Sequence, residues 1–308
     1  MLFRSVRPFR FGYQLSGEDE RDPLTAARQA EAAGFDVVLA SDHVGPGVAP
    51  MVTLSAIAQR TDRIRLGTLV LNHDMRNPVQ LAWEAATLDR LSSGRFELGL
   101  GAGHTPQEYA ATGLTFDGPR VRKARLMEGI EIIRRLVDGE TVTVHGVHFS
   151  VDCAAIDPAH QPRMPILVGG NGSGLLAHAG QHADIVGLQG LGRTRADGHN
   201  HEAKWDPVWL DAQIDQVQAG AGDRFADIEL NALVQVTRFT DDSQSVVDEA
   251  CTRIQGLTPD HAKATPYLLF GTVDEVAAKV NACRERWGIN YFVVRERGIF
   301  ASVIKALQ

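Results

Sequence analysis

With 308 residues, 44% of them apolar and 22% charged, the chain has the size for one large α/β barrel or two ordinary domains, and its core needs no metal or disulfide staple. A formal charge of −7 and the lack of any long basic run argue against nucleic acid or an anionic membrane as partner. Cys153, Cys251 and Cys283 are scattered and fit reduced thiols, no stretch reaches the length of a membrane span, and residues 1–10 lack the apolar core of a signal peptide. A cytoplasmic protein is expected.

Residues 9–15 are predicted as the first strand. Asp22 and Pro23 give a cap and a first-turn proline to an alanine-rich helix over 24–33, stopped by Gly34. A second buried strand, 37–41, ends on Asp42 and His43, and a helix near 52–60 follows. The run 64–71 is almost wholly apolar, as a strand buried on both faces should be. Pro78 opens a helix in which Leu81, Ala85, Leu88 and Leu91 recur at helical spacing, and Ser92, Ser93 and Gly94 stop it. The fourth strand, 96–100, runs into Gly101, Gly103 and His104.

Residues 105–119 read as loop, and 120–138 is the clearest helix, with Leu126, Ile130, Ile133 and Val137 on one face. A small hairpin is expected over 141–151, a fifth strand at 166–168, a glycine-rich turn at 169–173, a helix ending near Gly180, and a sixth strand at 185–188. The polar stretch 189–203 reads as a long loop carrying His199 and His201. Beyond it come a helix near 209–219, a strand over 228–237, a helix over 246–254, an irregular segment at 259–266, a helix over 272–286, the eighth strand at 291–294 and a closing helix over 300–307.

Eight strands alternating with helices predict a (β/α)8 TIM barrel, one domain over 1–308, with loop insertions at the C-terminal face near 105–119, 141–163 and 189–207. A doubly wound open sheet is the alternative, but no Gly-x-Gly-x-x-Gly follows the first strand.

In a barrel the chemistry sits at the C-terminal ends of the strands. That rim collects Asp42, His43, His73, Asp74 and His104. His43 is a candidate proton donor or acceptor, with Asp42 beside it either setting its tautomer or capping the next segment; His104 is the second candidate. Gly169, Gly170, Asn171 and Gly172, followed by a helix, combine close backbone approach with unpaired N–H groups, which suits a phosphate. A zinc or iron site on His43, His73 and His104 competes, but no His-x-His ends the first strand, and the fifth offers no carboxylate or lysine bridge. No metal is expected.

Several motifs together resemble the bacterial luciferase-like monooxygenase superfamily. They are Ala30-Glu31-x-x-Gly34-Phe35-Asp36 with Ser41-Asp42-His43, the run Arg63-Ile64-Arg65-Leu66-Gly67-Thr68, and Arg76-Asn77-Pro78. Ala86-Thr87-Leu88-Asp89, Leu91-Ser92-x-Gly94-Arg95, Leu98-Gly99-x-Gly101, Val168-Gly169-Gly170 and Gly271-Thr272-x-x-Glu275-Val276 complete the likeness, which is weakest over 189–265. The resemblance implies a (β/α)8 barrel holding FMN or the deazaflavin coenzyme F420 at the strand ends. It implies a ring stacked on a third-strand bulge at Thr68, Leu69 and Val70, with a non-prolyl cis bond at Leu69–Val70. It also implies a phosphate on Gly169, Gly170, Asn171 and Gly172, Asp42 and His43 near the ring, and Gly103 and His104 beside its reactive face.

The pattern is most similar to the deazaflavin-dependent oxidoreductases of actinobacteria, which implies hydride transfer to or from a small-molecule substrate with His43 or His104 moving the proton. The family's sugar-phosphate dehydrogenases carry a glutamate where this chain has His104. The alternatives are an FMN-dependent monooxygenase fed by a separate cofactor reductase, and a non-catalytic flavin-binding relative. Family members are often dimers, so a homodimer is expected.

Overall fold

A computed structural model describes residues 7–45, 47–195 and 201–308. Eight parallel strands close on themselves: β1 (Arg10–Gln14), β2 (Val37–Ala40), β3 (Arg65–Thr68), β4 (Phe96–Gly101), β5 (Ile166–Gly169), β6 (Ile185–Leu188), β7 (Glu229–Leu233) and β8 (Ile289–Val294). Each pairs with the next in chain order, through Gly12↔Val37, Val38↔Leu66, Leu66↔Phe96, Leu100↔Val168, Val168↔Val186, Ile185↔Glu229 and Ala232↔Phe292. Phe11↔Phe292 returns β8 to β1 and completes the barrel.

Side chains that alternate along the strands divide the core in two. Val37, Leu39, Leu167, Ile185, Leu233, Tyr291 and Val293 fill the barrel interior. Val38, Leu66, Phe96, Leu98, Ile166, Val186 and Phe292 face outward into the larger cluster against the helices. Most strands are therefore apolar on both faces and read as near-continuous hydrophobic runs, interrupted by inward polar residues such as Arg10, Glu97, Glu229 and Asn231.

Helices α1 (Pro23–Ala32), α2 (Pro50–Ala58) and α3 (Pro78–Leu91) begin with proline, and the Asp22 and Asn77 side chains cap the first and third. They are followed by α4 (Pro106–Thr112), α5 (Pro119–Val137), α6 (Ser173–His182), α7 (Pro207–Ala221), α8 (Ser243–Arg253), α9 (Pro259–Ala264), α10 (Val273–Trp287) and α11 (Phe300–Leu307). Thr272 and Glu275 form a reciprocal capping box at the start of α10.

The expected hairpin is present as Val142–His145 against Ser150–Ala154. Four expectations change. The loop at 105–119 contains α4, and the irregular segment at 259–266 contains α9. The loop at 189–203 contains an antiparallel pair, Leu191–Thr194 with His201–Ala203. The strand expected over 228–237 ends at Leu233, and Val236–Phe239 instead pairs in parallel with a strand that was not expected, Leu268–Gly271. With α8 and α9 these two strands form a fourth insertion, packed around Val247, Ala262, Tyr267 and Leu268. No helix among the described residues is long and apolar enough to cross a membrane.

Candidate active site

The third strand is interrupted where it reaches the rim. Pairing with β4 runs through Gly67↔Glu97 and resumes at Leu71↔Leu100, so four steps on one side match three on the other, a β-bulge. The Thr68 hydroxyl fills the gap, accepting from the Gly99 N–H and donating to the Gly99 carbonyl, both at 2.8 Å. A Cβ on Gly99 would run into the Thr68 carbonyl oxygen, so only glycine fits opposite the bulge. The Leu69–Val70 bond is cis, as the family likeness implies. Val70 overhangs the strand ends: its Cγ2 lies 2.6 Å from where a Gly101 Cβ would stand, and its Cγ1 3.1 Å from that of Gly169. Thr68 itself is buried with its hydroxyl occupied, a strut in the wall that does not line the cavity.

Above this ledge is a cavity of about 270 Å³. Leu69, Val70 and Leu71 form an apolar side; Asp42, His43, Gly103, His104 and Glu108 form the adjoining rim; Gln189, Leu191, His201, Gln235 and Arg295 close it on the far side. His43 Nδ1 lies 2.7 Å from Glu108 Oε1. The His104 ring stands edge-on to His43 at 5.7 Å between centroids, and His201 lies 4.7 Å beyond it. The partner of His43 is thus Glu108 from α4, and not Asp42. Asp42 accepts from Arg76 through both oxygens, at 2.6 and 2.9 Å, and from the Asn72 N–H at 2.7 Å. It reaches the cavity wall while serving to tie the end of β2 to the segment after the bulge.

His73 does not join this group. It is fully buried behind the rim against Gly129 and the Phe149 ring, and neither ring nitrogen has a partner. Burial, assisted by Arg76 and Arg125, pushes its pKa down to about 4. The postulated metal set of His43, His73 and His104 is therefore not assembled. Asp74 is turned to Arg125, which also holds Asp117. His199 lies outside the described residues.

Gln14 and Asn72 contribute to the lining, while Gln14 Oε1 and Asn72 Nδ2 are themselves covered and have no hydrogen-bond partner. Gly103, at φ 71°, packs directly on Asn72 and Tyr109: a Cβ there would fall 2.2 Å from the Tyr109 hydroxyl and 2.5 Å from Asn72 Oδ1. Arg295, with an exposed side chain, lines the same space.

The glycine-rich turn sits on the same rim, tied to the ledge by the approach of Val70 to Gly169. Gly170 and Gly172 adopt φ values of 154° and 106°, and Gly172 precedes α6 without any side-chain cap. The leading N–H groups of α6 thus have no capping side chain. A Cβ on Gly172 would lie 2.7 Å from the Lys123 ammonium, so α5 brings a cation to the turn. The Asn171 side chain is engaged by the protein: it donates to the Leu191 carbonyl and accepts from Gln213 at 2.9 Å. Gln14, Glu108, Lys123 and Arg295 went unrecognised in the sequence. The Thr105-Pro106 pair, a helix-start signal, could have drawn attention to Glu108.

An apolar ledge and a histidine–carboxylate pair thus line one cavity in the mouth of a (β/α)8 barrel, and the uncapped glycine turn lies on the same rim, just outside the cavity's lining. The family of luciferase-like monooxygenases matches residues 1–265, and the chain belongs to it. It is 39% identical over 189 residues to the F420-dependent glucose-6-phosphate dehydrogenase of Kineococcus radiotolerans, an alignment covering 58% of this chain and 56% of that one. The chain therefore spans little more than half the length of this relative and of those that resemble it similarly. A namesake from Mycobacterium avium is 28% identical over 94% of this chain and 92% of its own. Among solved structures, an F420-dependent secondary alcohol dehydrogenase in complex with an F420-acetone adduct superposes with a TM-score of 0.76 at 21% identity, covering 98% of this chain and all of that one.

Proposed function

We propose that this chain is a cytoplasmic, coenzyme F420-dependent oxidoreductase acting on a small organic substrate. The observation that carries the reading is the His43–Glu108 pair poised over the Leu69–Val70 ledge. Relatives named for F420 support the choice of cofactor.

The residues present fit the group. Val70 and Leu69 offer an apolar surface for a flat ring, and just behind the lining Gln14 Oε1 and Asn72 Nδ2 hold an acceptor and a donor that no protein group satisfies. The Gly170–Ser173 backbone and Lys123 would hold the phosphate. When bound, the deazaflavin supplies a carbon centre that takes a hydride from the substrate carbon or returns one.

The chain's own task is then the proton. Glu108 occupies Nδ1 of His43, which orients the imidazole and leaves Nε2 to accept the substrate hydroxyl proton during oxidation or return it during reduction. His104, edge-on to His43, narrows the space beside it. Arg295, an exposed cation on the far wall of the cavity, favours a substrate carrying negative charge.

The test is to titrate the purified protein with F420 and with FMN. Loss of the deazaflavin absorbance is then followed with alcohols, aldehydes, enones and sugar phosphates, each class with charged and neutral members. F420 binding with turnover of one class, charged members preferred, is the expected result. Tight FMN binding with oxygen uptake and indifference to F420 would overturn it, and binding without any turnover would make the chain a carrier.

A further inference from the structure

Away from the mouth, on the outer wall of the barrel, α5 and α6 pack side by side and bring three metal-binding side chains together. His178 and His182 are one helical turn apart on α6, their rings stacked at 4.3 Å between centroids and 27° between planes. Glu131, on α5, approaches within 3.9 Å of His182 Nε2. One ligand atom from each residue lies within 4.8 Å of the other two, and among the described residues this is the one group of three or more that does so.

Proximity alone would leave a stacked histidine pair on a helix. The state of His178 adds an independent fact. Its ring is hydrogen-bonded to the Met127 backbone, while its Nε2 is buried with no partner. A bond to a carbonyl makes Nδ1 the donor and fixes the tautomer, so Nε2 carries a lone pair with no donor to satisfy it. Metal-bound histidines are oriented in this way, by a carbonyl or carboxylate on the far nitrogen.

We propose that His178, His182 and Glu131 bind one divalent transition-metal ion of the zinc class. Two imidazoles and one carboxylate are borderline ligands that suit Zn²⁺, Ni²⁺ or Cu²⁺ and disfavour Mg²⁺ and Ca²⁺, which seek oxygen. Three protein ligands leave a position for water. Glu131, with 56% of its side chain exposed, has the freedom to close the remaining distance. His182 occupies the last turn of α6, where the helix dipole favours positive charge. The bound ion would staple α6, whose N-terminus faces the glycine turn, to α5, which carries Lys123. This site is independent of the reading of the mouth.

The experiment uses the untagged full chain stripped of metal and titrated with ZnCl₂ by calorimetry, with thermal unfolding followed in parallel. One equivalent should bind and raise the midpoint. His182→Ala, at a partly exposed position, and His178→Asn should each lose binding by about tenfold or more and abolish the rise, while Mg²⁺ produces neither effect. His43→Ala serves as the control for the mouth histidines and should retain the full equivalent. Absence of Zn²⁺ binding by the parent, binding unchanged in His182→Ala, or binding lost only in His43→Ala would each overturn the proposal. Circular dichroism of each variant separates loss of the site from loss of the fold.

Discussion

The two ends of the barrel treat their polar groups in opposite ways. At the N-terminal end, charges are paired with one another: Arg10 bridges Glu97 and Glu229, Arg65 reaches Glu97 as well, and Asn290 donates to Glu229 at 2.5 Å. Burial opposes the Arg10 charge, yet Glu97 and Glu229 outweigh it and hold the guanidinium above its ordinary pKa. At the C-terminal end Gln14 Oε1 and Asn72 Nδ2 have no partner, and the exposed Arg295 lines the cavity. Single unpartnered atoms occur at both ends, Glu97 Oε2, Asn290 Oδ1 and the Tyr291 hydroxyl among them, but at the N-terminal end they belong to a closed, ion-paired cluster, whereas at the C-terminal end their residues line the open cavity. Within the mouth, Asp42 follows the logic of the base, being consumed by Arg76, whereas Glu108 follows that of the site.

This contrast can be broken or sharpened by experiment. Removing the His43 ring should have the largest effect: His43→Ala is expected to lower turnover about 10²–10⁴-fold while cofactor affinity and thermal midpoint stay near the parent's. A rate within a few-fold of wild type would take proton transfer away from this residue. At the other end, Glu97→Ala leaves Arg10 and Arg65 without their shared acid, and should cost about 3–5 kcal/mol in urea unfolding. The affinity of the folded protein for cofactor should not move.

His73 tests the border between the two ends. Its pKa of about 4 in the fold lies below the 6.5 of a free histidine, so the unfolded chain binds the proton more readily. Its contribution to stability is therefore intact above the unfolded value and is lost as pH falls through the interval down to the folded one, by up to about 3 kcal/mol. Below that interval the loss stays constant. His73→Leu should flatten the decline of the unfolding midpoint across that interval; an unchanged slope would mean that other groups govern it. The smallest effect is expected at the glycine turn. Lys123→Gln should weaken F420 by about tenfold yet leave the affinity for a deazaflavin riboside lacking the phosphate unchanged, and equal losses for both ligands would remove the phosphate from this place.

The sequence was most legible where one physical pattern repeats. Runs such as Val37–Ala40 and Phe96–Gly101 are buried on both faces, so apolarity alone marks them, and the polar residues that follow mark the rim. The pattern failed where strands leave the barrel. Val234 and Gln235 donate to backbone carbonyls of Val293 and Tyr267, which redirects the chain into the fourth insertion, and no local feature announces a partner strand as distant as Leu268–Gly271. Asp42 drew attention as the neighbour of His43, but an adjacent residue need not point the same way. Glu108 reaches the imidazole only because α4 folds inside an apparent loop. The far wall, with Gln189, Leu191, Gln235 and Arg295, is assembled from segments without periodicity, which is why the pocket's substrate side was hidden.

The most direct test of the account is a crystal structure of the F420 complex, measuring where ring and phosphate lie. The deazaflavin should rest on Leu69 and Val70 with its reactive carbon within reach of a substrate held by His43, and its phosphate should be bound by the Gly170–Ser173 backbone and Lys123. A ring seated elsewhere, or a phosphate bound away from that turn, would contradict it.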